Sequence, residues 1–83
     1  MRTYTVEFKK QALKFINSRN KRERRDLYSA IYSLPYSDKV KKLQGEDNRY
    51  RLKVNNVRII FERHDDVFVI LVVKAGNRGD VYK

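Results

Sequence analysis

The chain predicts an α+β domain: an N-terminal strand, a two-helix hairpin, and a mainly antiparallel sheet of about four to five strands on which the helices pack. Three observations predict it. Residues 50–61 read Tyr-Arg-Leu-Lys-Val-Asn-Asn-Val-Arg-Ile-Ile-Phe, two alternating segments about an Asn-Asn pair, which is a β-hairpin signature. Residues 67–75 are a nearly continuous apolar run, as expected for a central strand buried on both faces. Residues 20–35 carry apolar side chains at helical spacing between a capping residue and a proline.

The elements follow in order. Tyr4, Val6 and Phe8 alternate with Thr3, Thr5 and Glu7, which predicts the first strand. From Lys9 the period changes, and Ala12, Leu13 and Ile16 fall on one helical stripe with Phe15 beside it. Asn20 is placed to cap a second helix, with Glu23 three residues on as its capping-box partner. Leu27, Ala30, Ile31 and Leu34 then recur at i, i+3, i+4 and i+7, and Pro35 ends the run. The short connection between the helices predicts a helical hairpin. Residues 36–48 show no pattern and are expected to run over the surface. The β-hairpin is expected to end near Arg63, and His64-Asp65-Asp66 to turn. Gly76-Asn77-Arg78-Gly79 is expected to break the apolar strand, with Asp80-Val81-Tyr82 forming a short last one. There is no internal repeat, linker or low-complexity stretch, so residues 1–83 form one domain.

Composition narrows the function. A hydrophobic fraction of 41% suffices for a single core, which excludes a disordered basic tail. The absence of cysteine removes disulfides, thiolate metal sites and a cysteine nucleophile. No apolar run approaches the roughly 18 residues of a membrane span, and the N-terminus lacks the apolar core of a signal peptide. The expectation is a cytoplasmic protein with no membrane partner. The net charge of +10 comes from 20 basic and 10 acidic residues, and the basic ones cluster at 19–25, 39–42 and 49–58. Such a field draws nucleic acid, or an acidic protein that mimics it.

Folding the ladder on Asn55-Asn56 sets Val54 against Val57, Lys53 against Arg58 and Leu52 against Ile59. Leu52, Val54, Val57 and Ile59 then share one face, and Arg51, Lys53 and Arg58 the other. Like charges directly opposite each other cost a few tenths to about 1 kcal/mol. Their placement is best explained by a polyanion over that face, which reads as a phosphate site. Lys39, Lys41, Lys42 and Arg49 border it and are positioned to steer a nucleic acid toward it. The crowding of Lys53 by Arg51 and Arg58 disfavours its charged form and is expected to depress its pKa. Were the polyanion RNA, its own 2′-hydroxyl could serve as nucleophile, and cleavage would need no metal. His64 is the sole histidine and the carboxylates form no ligand pattern, so no metal or cofactor is expected. Asp38 and Glu46 could serve as bases but read as solvated surface. Tyr28, Tyr32 and Tyr36 recur every four residues and read as a core-edge stripe.

Four motifs in fixed order carry a family likeness: Lys42-Leu43-Gln44-Gly45, Tyr50-Arg51-Leu52-Lys53-Val54, Val57-Arg58-Ile59-Ile60-Phe61 and Ala75-Gly76-Asn77-Arg78-Gly79-Asp80-Val81-Tyr82. Together they resemble the RelE/ParE superfamily of bacterial and archaeal toxins, over essentially the whole chain. The RelE branch implies a small metal-free endoribonuclease that cuts mRNA in the ribosomal A site and inhibits translation. It also implies a cognate antitoxin, a toxin–antitoxin hetero-oligomer, and mRNA and ribosomal RNA as partners. The resemblance places the active positions on Arg51, Lys53, Arg58, Arg78 and Tyr82. It implies Lys53 as base, Arg51 and Arg58 on the scissile phosphate, Arg78 near the leaving oxygen, and Tyr82 stacking on a base or orienting the 2′-hydroxyl. The tyrosine stripe of the second helix could equally receive an antitoxin segment. This chain departs from the pattern in a shorter hairpin turn and final loop, and in Asn77 where many relatives carry histidine. Two alternatives stay open: a ParE-like inhibitor of DNA gyrase, and a non-catalytic RNA-binding module. The joint presence of Lys53, Arg58, Arg78 and Tyr82 favours the nuclease, because neither alternative needs that set.

Overall fold

The computed structural model describes residues 3–45 and 47–79. Glu46, Tyr82 and the last strand expected at 80–82 lie outside the described residues. In chain order the elements are β1 (Thr5–Phe8), α1 (Lys10–Asn17), α2 (Lys21–Tyr32), β2 (Val40–Lys42), β3 (Arg49–Val54), β4 (Val57–His64) and β5 (Val69–Asn77). The five strands form one sheet in the order β1-β5-β4-β3-β2. β1 pairs in parallel with β5, and every other neighbour is antiparallel. The α+β class, the helical hairpin and the mainly antiparallel sheet all stand as the sequence predicts.

Both helices pack on one face of the sheet. Ala12 and Ile16 of α1 and Leu27 and Ile31 of α2 are buried against Leu52, Ile59, Phe61, Ile70 and Val72. Fully burying each of the larger side chains contributes about 1.5–3 kcal/mol. Leu13 departs from the expected stripe and is 39% exposed. With only eight residues, α1 touches the sheet through its i, i+4 pair, and Leu13 lies about 100° round the helix from Ala12. The cap of α2 is as the sequence predicts. Asn20 Oδ1 accepts from the Glu23 N–H at 2.9 Å, and Asn20 Nδ2 donates to Glu23 Oε1 at 2.8 Å. α2 ends at Tyr32, ahead of a cis Leu34–Pro35 peptide.

Three elements differ from expectation. Residues 36–48 do not simply run over the surface, because Val40–Lys42 pairs with β3 as an edge strand. Three residues, two of them lysine, are too few to display a period of two. His64 closes β4 rather than opening a turn. The apolar strand begins two residues late, leaving Val67 61% exposed, and runs on through Asn77 before turning at Arg78-Gly79.

β5 also carries a bulge. Ile60 pairs with Lys74 while Phe61 pairs with Val72, so Val73 is the extra residue. Before the bulge, Ile70 and Val72 face the helices; after it, Ala75 does. The alternation is shifted by one, and because both helices pack on the other face, the far face of β5 is mostly half-buried rather than fully covered.

Where β1 stops, α1 takes over its pairing with β5. The Lys9 N–H donates to the Val72 carbonyl at 2.8 Å. Gln11 then clasps Ala75 with both ends of its amide, Nε2 donating to the carbonyl and Oε1 accepting from the N–H, each at 3.0 Å. Among the described residues no helix is long and apolar enough to cross a membrane.

Candidate active site

Strand register assembles a basic surface on the face turned away from the helices. Lys53 pairs with Arg58, and Arg58 with Gly76. Lys39 extends this row, because its carbonyl accepts from the Lys53 N–H at 3.1 Å. A second row runs Lys41, Arg51, Ile60, Lys74. No described helix covers either row. Arg51, Lys53 and Arg58 thus come together on one face, and Lys41 joins them. Lys42 pairs with Tyr50 and falls on the helix side instead.

The three hairpin cations differ in environment. Lys53 is exposed. Arg58 is only 7% exposed, and its Nη1 donates to the Asn55 carbonyl at 2.8 Å and to the Val57 carbonyl at 3.3 Å. Its guanidinium therefore braces the turn, where Asn55 adopts a φ of +54°, a conformation that asparagine tolerates well. Arg51 Nε is buried and has no hydrogen-bond partner among the described residues. An orphaned buried donor costs about 1–3 kcal/mol, a penalty that an anionic oxygen would relieve. Arg78 is held at the same end of the sheet, its N–H donating to the Asn56 carbonyl at 2.8 Å. Tyr82 is outside the described residues, and Asp38 is exposed. Among the described residues no group of three His, Cys, Asp or Glu side chains is arranged to hold a metal ion.

The opposite end of the same face is not purely cationic. Glu62 Oε2 accepts from Arg49 Nε at 3.1 Å and from Nη2 at 3.0 Å, and Oε1 lies 2.9 Å from His64 Nε2. Arg49 is therefore neutralised and stands apart from the other cations. Partial burial pushes the Glu62 carboxyl up, but the hydrogen bonds from His64 and Arg49 outweigh it and hold it below the usual carboxylate value. A carboxyl with a lowered folded pKa contributes stability that is present above its unfolded value, near pH 4.5, and lost as pH falls through the folded one. Urea unfolding between pH 3 and 6 should show wild type losing more stability on acidification than Glu62→Gln. Parallel profiles would refute it.

Sequence reasoning missed this cluster, yet the ladder that pairs Lys53 with Arg58 also pairs Arg49 with Glu62 when extended. Lys74 offered no such signal, since ordinary alternation directs it to the helix side. A cleft of about 260 Å³ between α2 and the hairpin tip, with Asp26, Leu27, Asn55, Asn56 and Asn77 among its lining residues, was not foreseen either. The basic run at 19–25 is partly engaged locally, with Arg19 on Glu23 at 3.0 Å and Arg24 Nη1 on the Arg19 carbonyl at 2.6 Å. The tyrosine stripe grades from core edge to surface: Tyr28 is half-buried and stacked on Tyr32 at 6.3 Å, whereas Tyr32 and Tyr36 are exposed.

No protein-family model and no curated protein sequence matches this chain. Solved structures do. The archaeal RelE–RelB complex from Pyrococcus horikoshii OT3 matches with a TM-score of 0.78 and 28% identity, over 95% of this chain and 99% of that one. The RelB–RelE antitoxin–toxin complex from Methanococcus jannaschii matches at 0.74 and 26%, over 93% and 95%. The isolated RelE toxin of E. coli matches at 0.76 and 24%, over 95% and 90%. Two helices on a five-stranded mixed sheet, aligned end to end with these chains, make this protein a RelE-like member of the toxin superfamily that its sequence motifs resemble.

Proposed function

We propose that this chain is the toxin of a type II toxin–antitoxin pair and acts as a metal-independent, ribosome-dependent mRNA endoribonuclease in the cytoplasm. The observation that carries the reading is the convergence of Arg51, Lys53 and Arg58 on the sheet face turned away from the two helices, with Arg78 tied to the same hairpin. In this mechanism Arg51 and Arg58 hold the scissile phosphate, the guanidinium fork suiting its oxygens. The 2′-oxygen attacks phosphorus as Lys53 takes the hydroxyl proton. The bond to the 5′-oxygen breaks, leaving a 2′,3′-cyclic phosphate and a 5′-hydroxyl whose proton comes from water. Arg78 stabilises the charge building on that leaving oxygen. Tyr82 stacks on a neighbouring base or orients the 2′-hydroxyl. The cognate antitoxin is the protein partner; the RelE chains of the two archaeal structures are complexed with RelB.

Primer extension on a defined mRNA in a purified translation system tests the reading. Discrete cuts in the ribosomal A site are expected with the wild-type chain. Intact mRNA with unimpaired translation would overturn it and turn attention to gyrase, the target of the ParE branch.

A further inference from the structure

Without the bulge at Val73, alternation along β5 would continue from Ile70 and Val72 to Lys74, and the ammonium would lie under α1. The extra residue turns Lys74 onto the opposite face, in register with Ile60. Bulges beside functional sites commonly re-aim a side chain in this way. The result is a row of cations across the strands, Lys41 on β2, Arg51 on β3 and Lys74 on β5, with Ile60 filling the β4 position. Adjacent strands are about 4.8 Å apart, so the row spans roughly 14 Å. Lys39, Lys53 and Arg58 form a parallel row two residues along.

Direction matters on this face. A phosphodiester backbone laid along β4 would run from Arg58 into Glu62, the carboxylate that Arg49 and His64 already engage. Laid across the strands it meets Lys41, Arg51 and Lys74, and none of the described strand positions in that row is a carboxylate. We infer that the RNA backbone crosses the sheet perpendicular to its strands, from β2 to β5, and that Lys74 is the phosphate contact at its far end. This rests on the nuclease reading for the identity of the ligand as single-stranded RNA.

The test is binding of a short single-stranded RNA across a salt series. Each phosphate contact contributes about 0.7 to the slope of log K against log salt. Lys74→Gln should lower the slope by about that amount and weaken binding at low salt, while Lys74→Arg restores both. Lys14→Gln, on α1 and on the other side of the sheet, controls for the general loss of one charge. In the translation assay Lys74→Gln should raise KM with kcat retained, the signature of a lost uniform contact. A wild-type slope in folded Lys74→Gln, or an equal drop in Lys14→Gln, overturns the inference and leaves the nuclease reading standing. Wild type that neither binds nor cuts RNA overturns both.

Discussion

Lys53→Ala should lower single-turnover mRNA cleavage by about 10²–10⁴-fold, the range for losing a positioned proton acceptor. Its thermal midpoint should stay within a few degrees of wild type. Lys53 is exposed and pairs across the strands with Arg58, so its removal opens no cavity and relieves a like-charge contact. Activity and stability are thereby separated in one variant. Arg58→Ala would not separate them, because the Arg58 guanidinium also braces the Asn55 carbonyl. Cleavage by Lys53→Ala within threefold of wild type would move the base elsewhere, and Asp38 would be the next residue to replace.

The largest loss of stability is expected from Phe61→Ala, about 3–5 kcal/mol. Phe61 has no exposed surface, pairs with Val72 at the bulge, and stacks on Tyr50 at 5.6 Å between centroids. Small domains have only about 5–15 kcal/mol in total. The variant should therefore lose a large share of its stability, with a urea midpoint displaced far below wild type. An unmoved midpoint would mean that the sheet does not depend on this ring.

Much of this was legible in the sequence, for identifiable reasons. The β3–β4 hairpin could be read because alternation and a two-residue turn fix register together, which in turn fixes which cations meet. α2 could be read because Asn20, Glu23 and Pro35 mark its ends by local chemistry. What escaped depends on partners distant in the chain. β2 exists as a strand because β3 is there to pair with it, and its three residues carry no pattern of their own. The bulge at Val73 arises between β4 and β5 and hides inside an apolar run, so Lys74 looked like a core interruption rather than part of a basic face. The Glu62 cluster belongs to another class: the register already predicted it, and only the ladder's extension to Arg49 was needed to find it.

The parallel pairing of β1 with β5 bears on how the molecule is made. Thr5 meets Val69 and Phe8 meets Val72, so the first strand emerging from a ribosome has no partner until the last described strand follows. β4 likewise lacks one neighbour until then, and the Gln11 clasp on Ala75 cannot close. Contacts of such sequence separation form late and slowly. Lys53 and Arg58 can face each other as soon as the hairpin turns, but β5, which carries Lys74 and leads into Arg78, is made only after the hairpin. The nascent chain therefore carries its basic hairpin before it carries the full basic face, which is complete only once β5 has been added alongside β4.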